Sequence, residues 1–233
     1  MSTDNYFGKV LIIAAHADDE TLGCGGIISK LRSNNNDCHI HVVTGYGQEK
    51  HPFYDKNTFE IVRKEFKNAI NHIGSPSYSF GNLPAAKLND IPTYHVNNEI
   101  KNIIERIKPN TILLPSRDDL HLDHKIINYS VRVASRPYLK NNVNLFSLIE
   151  YEVPSETNIF FDNINEIYMP NLFVDITDFI TNKISGFSEY KSQSQESNQP
   201  RSLTGIKTLA KYRGLNIGVD YAESFRIILK KYI

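Results

Sequence analysis

The chain has no tryptophan, two cysteines and no excess of charge of either sign. Two cysteines, Cys24 and Cys38, cannot build a disulfide framework. The 26 Lys and Arg residues balance 26 Asp and Glu residues, which argues against an extended surface for nucleic acid or anionic lipid. No apolar run is long enough to span a bilayer, and residues 1–9 contain no signal-peptide core. These absences predict a cytoplasmic protein with no nucleic-acid partner and no membrane span.

What is present suits one large α/β domain of residues 1–233, because 40% of the residues are hydrophobic. Apolar runs alternate with helical patterns, which predicts a Rossmann-like three-layer sandwich with a mostly parallel sheet flanked by helices. Residues 192–200 are predicted to form a mobile polar loop. The C-terminal part of the chain, about residues 192–233, is predicted to consist of a loop plus capping elements. Strands are predicted at 10–15, 37–45, 77–80, 111–115, 145–151, 171–176 and 222–233, and helices at 58–74, 96–108, 126–135, 177–191 and 203–213.

The first predicted strand ends in a polar cluster, His16-Ala17-Asp18-Asp19-Glu20. Ligands of open α/β sheets bind beyond the carboxyl ends of the strands, so a catalytic site is expected here. His16 and Asp19 offer one nitrogen and one oxygen to a metal such as zinc, and Asp18 is placed to take a proton from a water in the open position. The alternative is a strand-to-helix turn whose Asp and Thr side chains only cap the helix.

A second polar cluster, residues 116–124, follows the strand predicted at 111–115. Both clusters should converge on one edge of one sheet. His121 and His124 are three residues apart and share a face once the helix begins. One of them completes the metal shell, and the other, with Asp123 or another acid on its second nitrogen, acts on the substrate.

Further residues near these clusters are candidates for the rim of the site. Arg117 and Asp119 either contact the substrate or pair with another charge. The polar segment 46–56, which contains Gly47 and Pro52, predicts an active-site loop.

On these two clusters the chain resembles the PIG-L/LmbE-type deacetylases, which are zinc-dependent hydrolases that remove the N-acetyl group from N-acetylglucosamine-containing molecules and related amino sugars. Residues 14–27 resemble the signature Ala-His-Pro-Asp-Asp-Glu-Thr-Leu-Gly-Cys-Gly-Gly, with Ala17 in place of the proline. Leu122 stands where another proline is frequent. Residues 63–74 resemble an Arg/Glu helix that ends in Gly, and residues 212–214 with 221–225 resemble the end of many bacterial members.

The resemblance implies a metal site and a general base. His16, Asp19 and His124 would hold Zn²⁺, with Fe²⁺ or another divalent metal as the alternative. Asp18 would be the general base.

The resemblance also implies three residues that act on the substrate. His121 would be a positively charged group that stabilises the oxyanion and protonates the leaving amine, and Asp123 would orient it. Arg63 would face the substrate at a sugar hydroxyl or phosphate.

The implied reaction removes the N-acetyl group from an N-acetylated amino sugar or its conjugate, such as a nucleotide sugar or glycan precursor. The products are acetate and a free amine. Two alternatives stay open: an amidase acting on another amino-sugar conjugate, and a non-catalytic sugar-binding module. The expected partner is a small-molecule amino sugar, and a homo-oligomer is open.

Overall fold

The computed structural model of the protein describes residues 4–142, 144–160 and 167–231. Its strands are β1 (Val10–Ala14), β2 (Cys38–Gly45), β3 (Ser77–Pro84), β4 (Thr111–Pro115), β5 (Ser147–Tyr151), β6 (Leu172–Asp175) and β7 (Ala222–Lys230). Its helices are α1 (Asp4–Phe7), α2 (Asp19–Ser33), α3 (Lys56–His72), α4 (Thr93–Ile107), α5 (Leu122–Ala134), α6 (Ile180–Ser188) and α7 (Leu203–Leu215). Short 3₁₀ turns occupy Leu88–Asp90, Lys140–Asn142 and Thr177–Phe179.

The seven strands form one sheet in the order β3-β2-β1-β4-β5-β7-β6. The pairs β1–β2, β2–β3, β1–β4 and β4–β5 are parallel, whereas β7 runs antiparallel to both of its neighbours. The prediction of an α/β fold with a mostly parallel sheet is therefore confirmed. Strand order reverses between β1 and β4, and this reversal opens a crevice at the carboxyl ends of those two strands.

The core lies on both faces of the sheet, and β1 divides its side chains between them. Ile12 belongs to the cluster that packs against α2, α3, α6 and α7, whereas Ile13 belongs to the cluster beneath α4 and α5. All five residues of β1 are buried, as expected for a strand covered by helices on both faces. None of the helices in the described part of the chain is long and apolar enough to cross a membrane.

The C-terminal region differs in detail from the sequence prediction. Residues 192–200 are predicted as a mobile loop. In the structure they form a loop whose polar groups hydrogen-bond to one another and to α3. The Gln195 N–H donates to the Arg201 carbonyl at 3.1 Å, and the Ser192 hydroxyl donates to Glu65 at 2.5 Å. The strand predicted at 222–233 is β7, which lies inside the sheet between β5 and β6; residues 232–233 lie outside the described residues.

Candidate metal centre and pocket

The two polar clusters meet where β1 and β4 end. His16 follows β1 by two residues, Asp19 begins α2, and His124 lies on the first turn of α5. One ligand atom from each of these three residues lies within 4.8 Å of the other two. The Asp19 Oδ2 atom is 3.5 Å from His16 Nδ1 and 3.2 Å from His124 Nε2. Helix α5 begins at residue 122 rather than 126, which places His124 on a helical turn.

The far nitrogen of each histidine is bound to a carboxylate. His16 Nε2 lies 3.0 Å from Asp123 Oδ2, and His124 Nδ1 lies 2.7 Å from Asp119 Oδ2. Such partners keep the ring proton on the far nitrogen, so the near nitrogen carries a free lone pair that can bind a metal. This is the usual arrangement around a metal-binding histidine. His124 Nε2 is buried and has no hydrogen-bond partner among the described residues. Two imidazole nitrogens and one carboxylate oxygen therefore fit a divalent cation such as zinc or ferrous iron.

A second set of possible ligands, His16, His121 and Asp123, also has its atoms within 4.8 Å of one another. Here the Asp123 carboxylate is already engaged, since it accepts hydrogen bonds from the backbone N–H of Ala86 at 2.6 Å and of Leu88 at 3.1 Å. The set centred on Asp19 is the better cation site. The sequence predicts that Asp123 orients His121; the Asp123 carboxylate contacts His16 instead, and only the Asp123 backbone N–H bonds to His121 Nδ1, at 3.1 Å.

Asp18 occupies the N-cap position of α2, but its side chain makes no capping hydrogen bond. The helix-capping alternative therefore does not account for this carboxylate, which lines the pocket. Its φ of 153° is unusual for a residue other than glycine, and such strain of about 1–3 kcal/mol clusters at active sites. The backbone N–H of Asp18 donates to Glu20 at 3.1 Å, and Glu20 in turn accepts from the Tyr190 hydroxyl at 2.5 Å. Glu20 thus holds the strained turn in place.

The electrostatics of Asp18 suit a group that both takes and returns a proton. Burial raises the pKa of Asp18 to about 8, and the neighbouring Asp19 adds to this rise. Arg201 opposes it from 3.4 Å, the distance between its Nη1 atom and Asp18 Oδ2. The Nε atom of Arg201 is buried and has no hydrogen-bond partner within the described part of the chain.

The surroundings of His121 favour a charge state other than the one that the family resemblance implies. Burial, together with the nearby His16 and His124, lowers the pKa of His121 to about 4. This environment favours the neutral form of the ring. Because Nδ1 accepts the N–H of Asp123, the ring proton resides on Nε2, which makes His121 a neutral hydrogen-bond donor.

The site opens into a cavity of about 270 Å³. Arg63 lines its wall, where the guanidinium donates to the Gly81 carbonyl at 3.2 Å and lies 4.9 Å from the centroid of the Phe80 ring. The remaining lining residues include the metal-site cluster, Asp18, His121, Val62, Glu156, Gln193 and Arg201.

For Arg117 and Asp119 the sequence left open substrate contact or pairing with another charge, and both pair with an ionisable neighbour. Arg117 does not line the cavity; its side chain is 56% exposed and pairs with Asp118 at 3.2 Å. Asp119 is fully buried behind His124 and accepts a short hydrogen bond from the Thr157 hydroxyl. Both Asp119 oxygens bond to protein groups, so this residue is placed to orient His124 and does not line the cavity.

We expect Asp119→Ala to weaken zinc binding by about 10- to 100-fold, the range typical for the loss of a carboxylate behind a metal-binding histidine. Competition with a chromophoric chelator measures the dissociation constant. Asp119→Asn keeps an acceptor oxygen near His124 Nδ1 and should recover part of the affinity. An unchanged dissociation constant in Asp119→Ala protein that retains the wild-type melting temperature would contradict this role.

Several contributing residues carry no signal in the sequence. Arg201 and Thr157 belong to segments without a recognisable motif, and they reach the site only through the fold. Glu20 belongs to the first polar cluster and to the signature that residues 14–27 resemble, but neither pattern predicts that its side chain accepts the Asp18 N–H.

An α/β sheet with a candidate cation site and a buried carboxylate at its switch point is an arrangement that suits a hydrolase. The family model described as PIG-L, GlcNAc-PI de-N-acetylase, matches residues 11–135, which include both polar clusters. The chain belongs to the PIG-L family of de-N-acetylases.

Individual relatives agree with this assignment. The chain is 25% identical over 234 residues to the diacetylchitobiose deacetylase of Thermococcus kodakarensis, covering 94% of this chain and 83% of the relative. The N,N'-diacetylchitobiose deacetylase structure from Pyrococcus horikoshii superposes with a TM-score of 0.74 at 23% identity, covering 97% of this chain and 85% of that one.

The same fold also carries other chemistry. GalB, the 4-carboxy-2-hydroxymuconate hydratase of Pseudomonas putida KT2440, superposes with a TM-score of 0.74 at 16% identity, covering 97% of this chain and 98% of that one. A reaction must therefore be argued from the site.

Proposed function

We propose that this protein is a metal-dependent N-deacetylase that hydrolyses the acetamide of an amino sugar to acetate and a free amine. The observation that carries the proposal is the position of Asp18, a buried carboxylate without a capping role, beside the His16, Asp19 and His124 cluster on the cavity floor. A protein that only binds sugar does not need a general base, so the strained Asp18 carboxylate at this position favours an enzyme.

His16, Asp19 and His124 are the proposed ligands of zinc or ferrous iron. A divalent cation held by these residues would supply Lewis-acid chemistry: it would polarise the acyl oxygen, lower the pKa of a water molecule and favour the charged forms of the nearby carboxylates.

Asp18 is the proposed proton carrier. As water attacks the acetyl carbon, Asp18 accepts the water proton, and the carbonyl oxygen gains negative charge. When the C–N bond breaks, Asp18 returns the proton to the amine nitrogen, so that acetic acid and a neutral amine leave and then ionise to acetate and an ammonium group in neutral solution. A carboxyl group whose pKa is raised by burial suits both halves of this transfer.

His121 is the proposed donor to the carbonyl oxygen through Nε2–H. One such preorganised donor is worth about 3–4 kcal/mol of transition-state stabilisation. The neutral ring is a poor acid, so the proton for the leaving amine is assigned to Asp18. This differs from the role that the resemblance gives to His121.

Arg201→Ala should leave the metal content unchanged and lower kcat/KM at neutral pH by about tenfold. The Arg201 charge favours the ionised form of Asp18, so its loss raises the pKa of Asp18 and moves the acid limb of the kcat/KM profile to higher pH. Arg201→Lys keeps the charge and should move the limb less. A profile that stays in place in Arg201→Ala would remove Arg201 from this role.

The activity is tested with N-acetyl, N-formyl and N-propionyl forms of glucosamine, free and nucleotide-linked, and with zinc-loaded protein. We expect acetate and free amine in equal amounts from an N-acetyl compound. Faster turnover of another acyl group would favour the amidase alternative. Binding without any turnover would favour the sugar-binding module.

A further inference from the structure

A buried tyrosine joins the end of α6 to the turn that carries Asp18. Tyr190 lies two residues after α6, is fully buried in the core and has its ring centroid 5.9 Å from that of Phe187. Its hydroxyl donates to Glu20 Oε1 at 2.5 Å, and the Thr21 hydroxyl donates to the same oxygen at 2.7 Å. The other oxygen, Oε2, accepts the Asp18 N–H at 3.1 Å. One carboxylate thus connects Tyr190 to the main chain of Asp18.

The main chain of Asp18 is held on both of its sides. Its carbonyl accepts the N–H groups of Thr21 at 3.0 Å and of Leu22 at 2.9 Å, which fixes it to the first turn of α2. Its N–H is bound by the Glu20 carboxylate. A strained backbone such as the φ of 153° at Asp18 persists only where the surroundings fix it, so the Glu20 bond sets the direction in which this side chain points.

The chain that follows Tyr190 returns to Asp18 from a second direction. The Tyr190 carbonyl accepts the Gln193 N–H at 3.1 Å, so the chain turns there. It reaches Arg201, whose Nη1 atom lies 3.4 Å from Asp18 Oδ2. Gln193 and Arg201 both line the cavity. We call residues 190–201 the strap, because one end reaches the Asp18 main chain and the other end reaches its carboxylate.

We propose that Tyr190 is a positioning residue for the proton carrier. Its hydroxyl holds Glu20, and Glu20 holds the Asp18 main chain in the conformation that directs the carboxylate into the cavity. The strap thereby fixes both the backbone of Asp18 and the cation beside its side chain. This inference rests on the proposed function and adds to it a residue that does not itself line the cavity.

The hydroxyl of Tyr190, rather than its ring, is the group that matters. A phenylalanine would fill the same volume of the core, whereas a buried hydroxyl is costly unless it is hydrogen-bonded. The buried Glu20 carboxylate has the same requirement, and the two groups satisfy each other. A proton carrier must lie within hydrogen-bond reach of the reacting atoms, so even a small displacement of Asp18 slows the reaction. Loss of the Tyr190 hydroxyl is therefore expected to affect turnover.

Removal of this one hydroxyl tests the role. Tyr190→Phe should lower kcat about tenfold and leave KM and the bound zinc per chain at their wild-type values. Both constants come from acetate release with the N-acetyl form of glucosamine that the wild-type protein hydrolyses fastest, and kcat is expressed per bound zinc to exclude unfolded protein. Tyr168→Phe is the matched control, because Tyr168 is also buried and donates to the Ser224 carbonyl at 3.0 Å, outside the cavity. Its kcat should stay at the wild-type value.

A double-mutant cycle with Glu20→Gln shows whether Tyr190 acts through Glu20. Glu20→Gln alone should lower kcat, because an amide replaces the carboxylate that accepts the Asp18 and Tyr190 hydrogen bonds. If Tyr190 acts only through this group, adding Tyr190→Phe to Glu20→Gln should lower kcat no further. Two losses that multiply would contradict the inference, because Tyr190 would then act independently of Glu20. A wild-type kcat in Tyr190→Phe would overturn it directly.

A measurement that needs no turnover separates this inference from the proposed function. In zinc-loaded Tyr190→Phe, NMR should show amide hydrogen exchange at Asp18 about tenfold faster relative to the Ile12 amide of β1, which reports opening of the whole fold. Faster exchange at Asp18 in a protein whose wild type releases no acetate would support the positioning role and reject the deacetylase proposal. Unchanged exchange at Asp18 would reject the positioning role and leave the deacetylase proposal intact.

Discussion

Asp18→Asn is expected to lower kcat by about 10³-fold, within the range that positioned acid–base groups contribute. The asparagine amide has nearly the same shape as the carboxylate but cannot accept a proton from water. Since Asp18 is not among the three proposed ligands, the metal content should stay at the wild-type value. Acetate release at saturating substrate gives kcat, and elemental analysis of the same sample gives the metal content.

The matched control for this variant is Asp220→Asn. Asp220 is a surface residue whose side chain is 67% exposed and pairs with Lys211, so the same chemical change there should leave kcat within about twofold. Turnover near the wild-type value in metal-loaded Asp18→Asn protein would remove Asp18 from the role of base.

His124→Ala is expected to abolish stoichiometric zinc binding and to reduce acetate release to background. The change deletes one of three ligands, so the loss of affinity should exceed the roughly 100-fold that an outer partner can account for. It also leaves the buried Asp119 carboxylate without its imidazole partner, which should destabilise the fold by about 3 kcal/mol. Elemental analysis and thermal unfolding measure the two effects.

Because the alanine variant is expected to be less stable, His124→Gln provides a second test of whether His124 binds the metal. Glutamine keeps a polar side chain beside Asp119 but removes the imidazole. His72→Ala, at a histidine whose side chain is 41% exposed and pairs with Glu189, should keep both zinc and activity. One equivalent of zinc bound to folded His124→Gln at wild-type affinity would exclude His124 as a ligand.

The part of the site that depends on strand order could be predicted from the sequence. The apolar runs of β1 and β4 are each followed at once by charged residues, and parallel strands bring such ends to one edge. The alternation of strands and helices likewise predicts the layered sheet. The alternation does not predict that β7 lies between β5 and β6, because an antiparallel strand has the same local pattern as a parallel one.

The pairing of charged groups could not be predicted. Three acids surround the two histidines proposed as ligands, and composition alone does not decide that Asp123 bonds to His16 or that Asp119 bonds to His124. Arg201 lies 183 residues from Asp18 along the chain, and no spacing rule connects them. The cytoplasmic location and the homo-oligomer stay predictions.

The most direct test of the central proposal is a metal titration of chelator-treated protein, followed by acetate release from the N-acetyl amino sugar that the wild-type protein hydrolyses fastest. We predict no release from the metal-free protein and a rise that is linear up to one equivalent of zinc or ferrous iron and flat beyond it. Undiminished acetate release from metal-free protein would contradict the account, because His16, Asp19 and His124 would then not form the centre on which the reaction depends.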